Sequence, residues 1–429
     1  MKKRLKKLQV VSKYFYPVAA GIENNIHKTY LPLVKKGWKI TIHTSRDVYD
    51  KKNLLPLNEI KDGLEIKRYE WSFLTGFWPG FDWNEEQIVC LHNFNIVPHF
   101  LILIFSLAMK ILNRKKFKLI IIPHGGFSPE WSTFPLILRL PKLFYHTVIS
   151  PFLVNKAVDG VRAVAYWEKS EMVKAGIKSD LIRVITNGIE DEAYEDIEEN
   201  ASSEIKKRLA DIGDYIVQIG RIDRIKNQEV TIRALFGIKG LKFLIVGPVQ
   251  DIKYKQKLNN LIEKLGLKER VIFLGVVRSF DKYYILKKAK AMVHMALWEG
   301  NCNVVNEAWS QKLVCIVADS KGLNEQIRDF KNGFLVKKDD FKTLIKRIEY
   351  VLDFRNMKVM NNMIEKNLIY VRNNSWKDVS ERVEKFYTEK LLKKHAKQVL
   401  FCAEKHQEAT KFGGMRKEEK HVLFPITEK

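Results

Sequence analysis

The sequence predicts an α/β protein made of two doubly wound, parallel-sheet domains facing each other across a cleft. Three observations predict it. Short β-branched runs alternate with segments of helical period along most of the chain, which implies parallel strands covered by helices. The alternation occurs twice, with a break after Asn187-Gly188. The length, 429 residues, exceeds the ~250–300 residues at which single cores stop growing.

Leu8–Ser12 is the first β-branched run. Ile22, Ile26, Tyr30, Leu33 and Val34 then recur at helical spacing, Gly37 ends the helix, and Lys39–Thr44 alternates as a strand. Together they read as a βαβ unit with Ala19-Ala20-Gly21 at its strand-to-helix turn. Further strands are expected at Ile88–Leu91, Leu119–Ile122 and around Arg162–Tyr166. The acidic stretch Glu190–Glu204 reads as a linker. Beyond it strands are expected at Tyr215–Ile219, Phe243–Val246, Val271–Leu274, Met292–Met295 and Val314–Ala318, with helices between them. The clearest helix carries Leu258, Leu261, Ile262 and Leu265 on one face and stops at Gly266, a suitable left-handed cap. Trp376–Leu392 reads as an amphipathic helix, and the chain from Ala396 onward as a poorly specified tail. The expected units are therefore two Rossmann-like domains, 1–188 and 189–375, a helix 376–395 crossing back to the first domain, and a basic tail 396–429.

Lys and Arg number 75 against 50 Asp and Glu, a net charge of +25. Such a field favours phosphorylated small molecules, polyanions and anionic membranes as partners. Any single Lys-rich run is read equally well as solvated surface. No aromatic-rich nucleic-acid module accompanies the charge, so nucleic acid is not an expected partner. The four cysteines show no C-x-x-C spacing, which excludes a disulfide framework or zinc site of that type and fits a reducing compartment. The basic start MKKRLKKLQVV has too short an apolar stretch for a signal peptide. The longest apolar run, Phe100–Leu112, is broken by Ser106 and Lys110 and falls short of the ~20 residues of a membrane span. A cytoplasmic protein is expected, with peripheral contact at the inner membrane face.

Several residues with chemistry fall just past predicted strands, where open parallel sheets bind ligands. Arg221 and Lys226 lie five positions apart in the loop after Tyr215–Ile219, beside Gly220. A guanidinium grips two phosphate oxygens and an ammonium adds a point charge, as a departing diphosphate requires. In a Lys-rich chain, the plainer reading of the pair is solvated charge. Downstream, the segment from His294 to Ala308 runs from a strand through a Gly300 turn into a helix starting near Asn303, whose free N–H groups favour anions. Glu307 suits a ribose diol, and Glu299 reaches towards sugar hydroxyls or positive charge at an anomeric carbon. Favouring the helix dipole would explain Glu307 alone, but not Glu299, Gly300 and Glu307 together. His124, in Pro123-His124-Gly125, also follows a strand and suits substrate orientation, although a structural loop histidine is the plainer reading. His92 carries the same ambiguity.

Taken together these segments resemble the retaining glycosyltransferases of family 4, which have the GT-B fold, over about Leu8 to Tyr387. The most specific part is Gly220-Arg221 followed by Lys226 and, downstream, the E-x7-E element Glu299–Glu307. Tyr16-Pro17, Gly21-Ile22-Glu23, Thr186-Asn187-Gly188-Ile189, Gly247-Pro248, Phe273-Leu274-Gly275, Gly322-Leu323-Asn324-Glu325, Asn332-Gly333 and Ser375-Trp376 support it in order. The resemblance implies that the first domain faces the acceptor and the second binds a nucleotide-sugar donor. By it, Arg221 and Lys226 hold the diphosphate and Glu307 the ribose. Glu299 and Gly300, with the backbone of Asn301, Cys302, Asn303 and Val304, meet sugar and phosphate. Gly275 and Val276 flank the base, Gly21 approaches the phosphates and His124 the sugar. It also implies retention of configuration, no metal and no cofactor beyond the co-substrate. Two places depart from the family pattern. Ala20 stands where a Gly is common, and Asn301-Cys302 replace the usual residues after Glu-Gly. A glycan or lipid-linked cell-envelope precursor is the expected acceptor, given the basic runs Lys2–Lys7 and Arg114–Lys118 beside Phe100–Leu112. Two alternatives stay open: a nucleotide-sugar epimerase of the same architecture, and a non-catalytic protein that docks on membranes.

Overall fold

The computed structural model describes residues 6–18, 21–48, 52, 54–72, 74–94, 96–127 and 136–392. The Ala19-Ala20 turn, most of the basic run Lys2–Lys7, the end of the 376–395 helix and the tail 396–429 lie outside them.

The first sheet contains β1 (Lys7–Val11), β2 (Lys39–Ser45), β3 (Asn58–Lys61), β4 (Leu64–Tyr69), β5 (Ile88–His92), β6 (Lys118–Ile122), β7 (Gly160–Ala163) and β8 (Ile182–Val184). Their order is β3-β4-β2-β1-β5-β6-β7-β8. All neighbours are parallel except the β3–β4 hairpin, which turns on Asp62-Gly63, both at positive φ (53° and 79°). That geometry is the tight turn an Asp-Gly pair favours. The second sheet contains β9 (Tyr215–Ile219), β10 (Lys242–Val246), β11 (Val271–Gly275), β12 (Ala291–His294), β13 (Cys315–Ala318) and β14 (Phe334–Val336). It is wholly parallel in the order β11-β10-β9-β12-β13-β14. The central strands are buried along their length, as expected of parallel sheets covered on both faces.

Strand order reverses between β1 and β5 in the first sheet and between β9 and β12 in the second. Connections leave such neighbours in opposite directions, so a crevice opens beyond their carboxyl ends, where α/β sheets bind ligands.

The chain passes between the sheets twice, and the two passages lie side by side. Ile189 N donates to Asn374 O (3.0 Å), Trp376 N to Ile189 O (3.1 Å), and the Asn374 amide to Asn187 O (2.6 Å). A side chain at Gly188 would meet the Ser375–Trp376 backbone at 2.6–2.8 Å, so only glycine lets the passages touch. From there the helix 376–392 returns to the first sheet, adding Trp376, Val379, Val383, Phe386 and Tyr387 to its core.

Two sequence expectations need correction. The stretch Glu190–Glu204 is not a linker: it folds as a 3-10 turn Asp191–Tyr194, a helical turn Ile197–Asn200 capped by Asp196, and the start of a helix Ser203–Ile212 capped by Ser202. Ile189, Ala193, Ile197, Ala201 and Ile205, four apart, are buried in the second domain's core, and that period outweighs the acidic composition. The strand expected around Arg162–Tyr166 ends at Ala163, and Tyr166 opens a helix to Lys174. The buried Glu168 carboxyl accepts from Val164 N (2.7 Å) and so takes the amide a longer strand would pair. Among the described residues no helix is long and apolar enough to cross a membrane.

Candidate active site

The loops after β9 and β12 flank the second sheet's reversal point and bring together Arg221, Lys226 and Glu299. After β9 the chain turns at Gly220, and the next loop ends in a 3-10 turn Arg224–Lys226. Asp223 caps that turn, accepting from Lys226 N at 3.0 Å. This seats the Lys226 ammonium directly on the Glu299 carboxylate, both side chains largely buried. His294, the last residue of β12, brings Nε2 to 2.6 Å from the same Glu299 oxygen. The loop between them is fixed from behind: Glu299 N donates to Lys321 O (2.9 Å), and Gly322, at φ +88°, leaves no room for a side chain against the Glu299 carbonyl.

The electrostatics follow from burial and pairing. Burial opposes charge on both partners, yet the Glu299 charge leaves Lys226 above its ordinary pKa, and Lys226 with His294 holds Glu299 well below the usual carboxylate range. Both stay ionised at neutral pH. Arg221 sits at the mouth, with its side chain 44% exposed. It donates to Gln250 Oε1 (2.5 Å) and lies 3.4 Å from Asp223. It is the outermost of the cations.

Beyond Glu299 the chain turns at Gly300-Asn301 and enters the helix Asn303–Ser310 behind Cys302, as its sequence predicts. Gln326 clamps the turn, accepting from Cys302 N (2.9 Å) and donating to Cys302 O (3.2 Å). Glu307, one turn along the helix, is not joined to the Glu299 cluster. Its carboxylate pairs with Lys282 at 3.0 Å, and Lys282 lies 3.5 Å from Glu190. Glu190 in turn accepts from Tyr283 (3.2 Å) and pairs with Lys28 of the first domain at 3.5 Å. Gly275, at φ +76°, accepts from Gly247 N (2.7 Å), and Val276 beside it is exposed. Gly21 opens the first helix, facing open space.

The first domain closes on the Gly300 turn. Trp167 Nε1 donates to Gly300 O (2.7 Å), Lys321 pairs with Glu171 (3.1 Å), and a side chain at Gly300 would lie 3.5 Å from His124 O. His124, at φ +53°, follows β6. Its Nε2 is 2.9 Å from His92 Nδ1, and His92 Nε2 is 2.7 Å from the Tyr30 hydroxyl, itself 2.9 Å from Tyr387. Burial, with Arg162 nearby, pulls His124 down to about 3, so its imidazole is neutral at neutral pH. Farther along, Asn25 donates to Asn187 Oδ1 (2.6 Å) and Asn187 to Asn303 Oδ1 (3.0 Å), tying the first helix to the start of Asn303–Ser310.

Sequence reasoning gave no role to His294, Trp167, Lys282 or Asn187. His294 was legible in principle, as a histidine ending a strand five residues before Glu299. Trp167, Lys282 and Asn187 act through contacts between distant segments, which no local pattern announces. One ligand atom each from His294, Glu299 and Cys302 lies within 4.8 Å of the others, a spacing that suits a cation. Two features oppose it: Lys226 already gives Glu299 its cation, and burial, with the Glu299 charge, pushes the Cys302 thiol well up, so it stays protonated. A surface cavity of about 680 Å³, on Leu297, Asp319–Lys321 and Lys337–Asp340, includes none of the predicted site residues.

Residues 199–368, which carry this cluster, match the family described as glycosyl transferases group 1. They form a group 1 glycosyltransferase domain. The chain is 30% identical over 153 residues to an N-acetylgalactosaminyltransferase of Campylobacter jejuni named for a diphospho-undecaprenol acceptor, over 34% of this chain and 40% of that protein. It is 30% identical over 122 residues to an Escherichia coli galactosyltransferase named for a diphosphoundecaprenol acceptor, over 28% and 30% of the two chains. The chain thus spans less than half the length of either relative. Solved structures align across both domains. Anabaena HepE in complex with UDP-glucose has TM-score 0.66 at 16% identity, covering 89% of this chain and 99% of that one. A UDP-forming trehalose-phosphate synthase from Burkholderia vietnamiensis has TM-score 0.69 at 14% identity, covering 91% and 100%. The group 1 domain therefore sits within a GT-B fold.

Proposed function

We propose that the protein transfers a glycosyl group from a nucleoside-diphosphate sugar to a lipid-linked glycan precursor, with retention at the anomeric carbon and without a bound metal. One observation carries the reading. Lys226, Glu299 and His294 converge at the reversal point of a group 1 domain, and the His124 loop meets the adjoining Gly300 turn from the opposite domain. Chemistry that separates charge at a sugar–phosphate bond needs both features: fixed cations on the phosphate side and a closed, dry face on the sugar side.

In this reading Arg221 and Lys226 take the diphosphate, and Glu307 the ribose hydroxyls. The bond from the anomeric carbon to the β-phosphate oxygen breaks, and its electron pair stays on the diphosphate, where the two cations offset the growing charge. The acceptor hydroxyl attacks from the same face, and its proton passes to the departing phosphate oxygen. Glu299 stabilises positive charge developing at the anomeric carbon, and neutral His124 hydrogen-bonds the sugar. No carboxylate nucleophile is required, in contrast to retaining glycoside hydrolases. The UDP-glucose complex of Anabaena HepE supports the donor class, and the undecaprenol-diphosphate names of two relatives support the acceptor class. Such an acceptor places the reaction at a membrane surface, on the cytoplasmic side.

Calorimetric titration with UDP, GDP and ADP, then with their sugar conjugates, tests the reading. One nucleoside diphosphate should bind. Arg221→Ala should weaken it roughly ten- to a hundredfold, the ~1.5–3 kcal/mol of a lost charge-assisted contact. Binding of none of the three would overturn the proposal, and unchanged affinity in the variant would remove Arg221 from it.

A further inference from the structure

The first domain carries an apolar stripe that its core does not use. Residues 136–157 form one continuous helix with a π-turn at Tyr145–Ile149. Its inner face is packed: Leu153, Val154 and Ala157 are buried, and Tyr145 meets Phe100 ring to ring at 5.8 Å. Its outer face shows Ile137 (83% exposed), Leu140 (77%), Phe144 (57%), Val148 (53%) and Phe152 (57%). Spaced three, four, four and four apart, these residues follow one side of the helix. Large apolar side chains scattered singly on a surface are ordinary, whereas a continuous row marks a binding face.

Charge says what covers it. Between Val97 and Ala157 the chain holds eight basic residues (Lys110, Arg114, Lys115, Lys116, Lys118, Arg139, Lys142, Lys156) and one acid, Glu130, a local net charge of +7. Lys110, Arg114, Lys116 and Lys156 are exposed. Lys110 donates to Lys156 O (2.8 Å), which joins the basic end of the helix Val97–Ile111 to the end of the striped helix. That helix, the apolar segment expected to lie on a bilayer, buries Ile102 and Leu103 and exposes Val97, Ile104 and Ile111, the first two only 38% and 43%. The striped helix beside it is the more apolar surface. A second copy of this chain would meet the patch with the same positive charge, whereas an anionic bilayer complements both the row and its basic border.

We infer that the face Ile137–Phe152 lies in the headgroup region of an anionic phospholipid bilayer and holds the first domain against it. The inference deepens the proposed function, since a lipid-linked acceptor must be met at such a surface. The test is co-sedimentation with phosphatidylcholine vesicles, with and without phosphatidylglycerol, alongside nucleoside-diphosphate titration of the same protein. The wild type should pellet with the anionic vesicles and release at high salt. The doubly substituted Leu140→Glu, Phe144→Glu protein should lose at least tenfold in partition while keeping its nucleotide affinity. Hydrogen exchange of the wild type on vesicles should show new protection at 136–152, a readout that needs no variant to fold. Wild type left in the supernatant, equal pelleting of the variant, or protection confined to other segments would overturn the inference. So would dissociation of a wild-type dimer by the two substitutions, which would make the stripe an interface between copies. Loss of nucleotide binding with vesicle binding intact would instead count against the glycosyltransferase reading.

Discussion

Glu307 is the predicted donor residue whose surroundings the sequence disclosed least. Its carboxylate is held by Lys282, and Lys282 also faces Glu190. Burial works against the Lys282 charge, but the two carboxylates outweigh it and hold its pKa above the ordinary value. In the proposed function the pair has two separable roles: the acid takes the ribose hydroxyls, and the cation holds that carboxylate in place. Glu307→Ala should lower kcat/KM ten- to a hundredfold, chiefly through KM for the donor, because ribose contacts are made equally in ground and transition states. Lys282→Met should leave two carboxylates facing each other and cost about 3 kcal/mol of stability, the scale of a broken buried ion pair. Denaturant unfolding and steady-state kinetics on both variants separate the two effects. Wild-type stability in Lys282→Met would show that solvent already carries the pair.

Among the elements, the paired passages at 187–189 and 374–376 decide how the domains sit. Their backbones touch at Gly188, where an added Cβ would fall 2.6 Å from Trp376 N. Gly188→Ala must part the strands, breaking the Ile189–Asn374 and Trp376–Ile189 hydrogen bonds, and should cost about 1–3 kcal/mol. A chain of this size should then lose several degrees in thermal midpoint, while an unchanged melt would mean the crossing is slack. Element identity was legible wherever burial on both faces wrote an apolar run, as in Tyr215–Ile219 and Phe243–Val246. It failed where pairing, not burial, makes the strand. In β3, Ile60 is 78% exposed, and the hairpin with β4 drew no expectation from the sequence. It also failed where composition masked period, as in 190–204. The candidate site followed the same division. Residues on one loop, such as Lys226 or Glu299, could be read from their order along the chain. Trp167, Lys282 and Asn187, which reach Gly300, Glu307 and Asn303, come from elsewhere, so only the fold shows them.

At the scale of the whole molecule, four histidines bury a neutral ring in the first domain. Burial lowers His43 and His124 to about 3 and His99 to about 4, and His92 falls well below its ordinary value, through burial first and then His124 beside it. In the unfolded chain each takes a proton below about 6.5. The unfolded state therefore binds more protons as pH falls from 6.5, and the stability these rings contribute, present in full above 6.5, is progressively lost. Each contributes a slope of about 1.4 kcal/mol per pH unit at most. Glu168 works the other way. Burial raises its carboxyl to about 7, so the stability linked to its proton is complete below about 4.5 and is lost as pH rises to about 7. Burial also raises the Glu325 carboxyl, so among the described residues four groups oppose two, and the balance still falls with acid, by at most about 4 kcal/mol per pH unit. Urea unfolding between pH 4.5 and 8 should show stability highest near neutrality and dropping steeply below 6.5. Glu168→Gln should steepen the acid limb by removing one of the two opposing carboxyls. A profile flat from 6.5 to 4.5 would mean that the histidines already carry protons in the folded chain, and the neutral His124 of the proposed function would have to be given up.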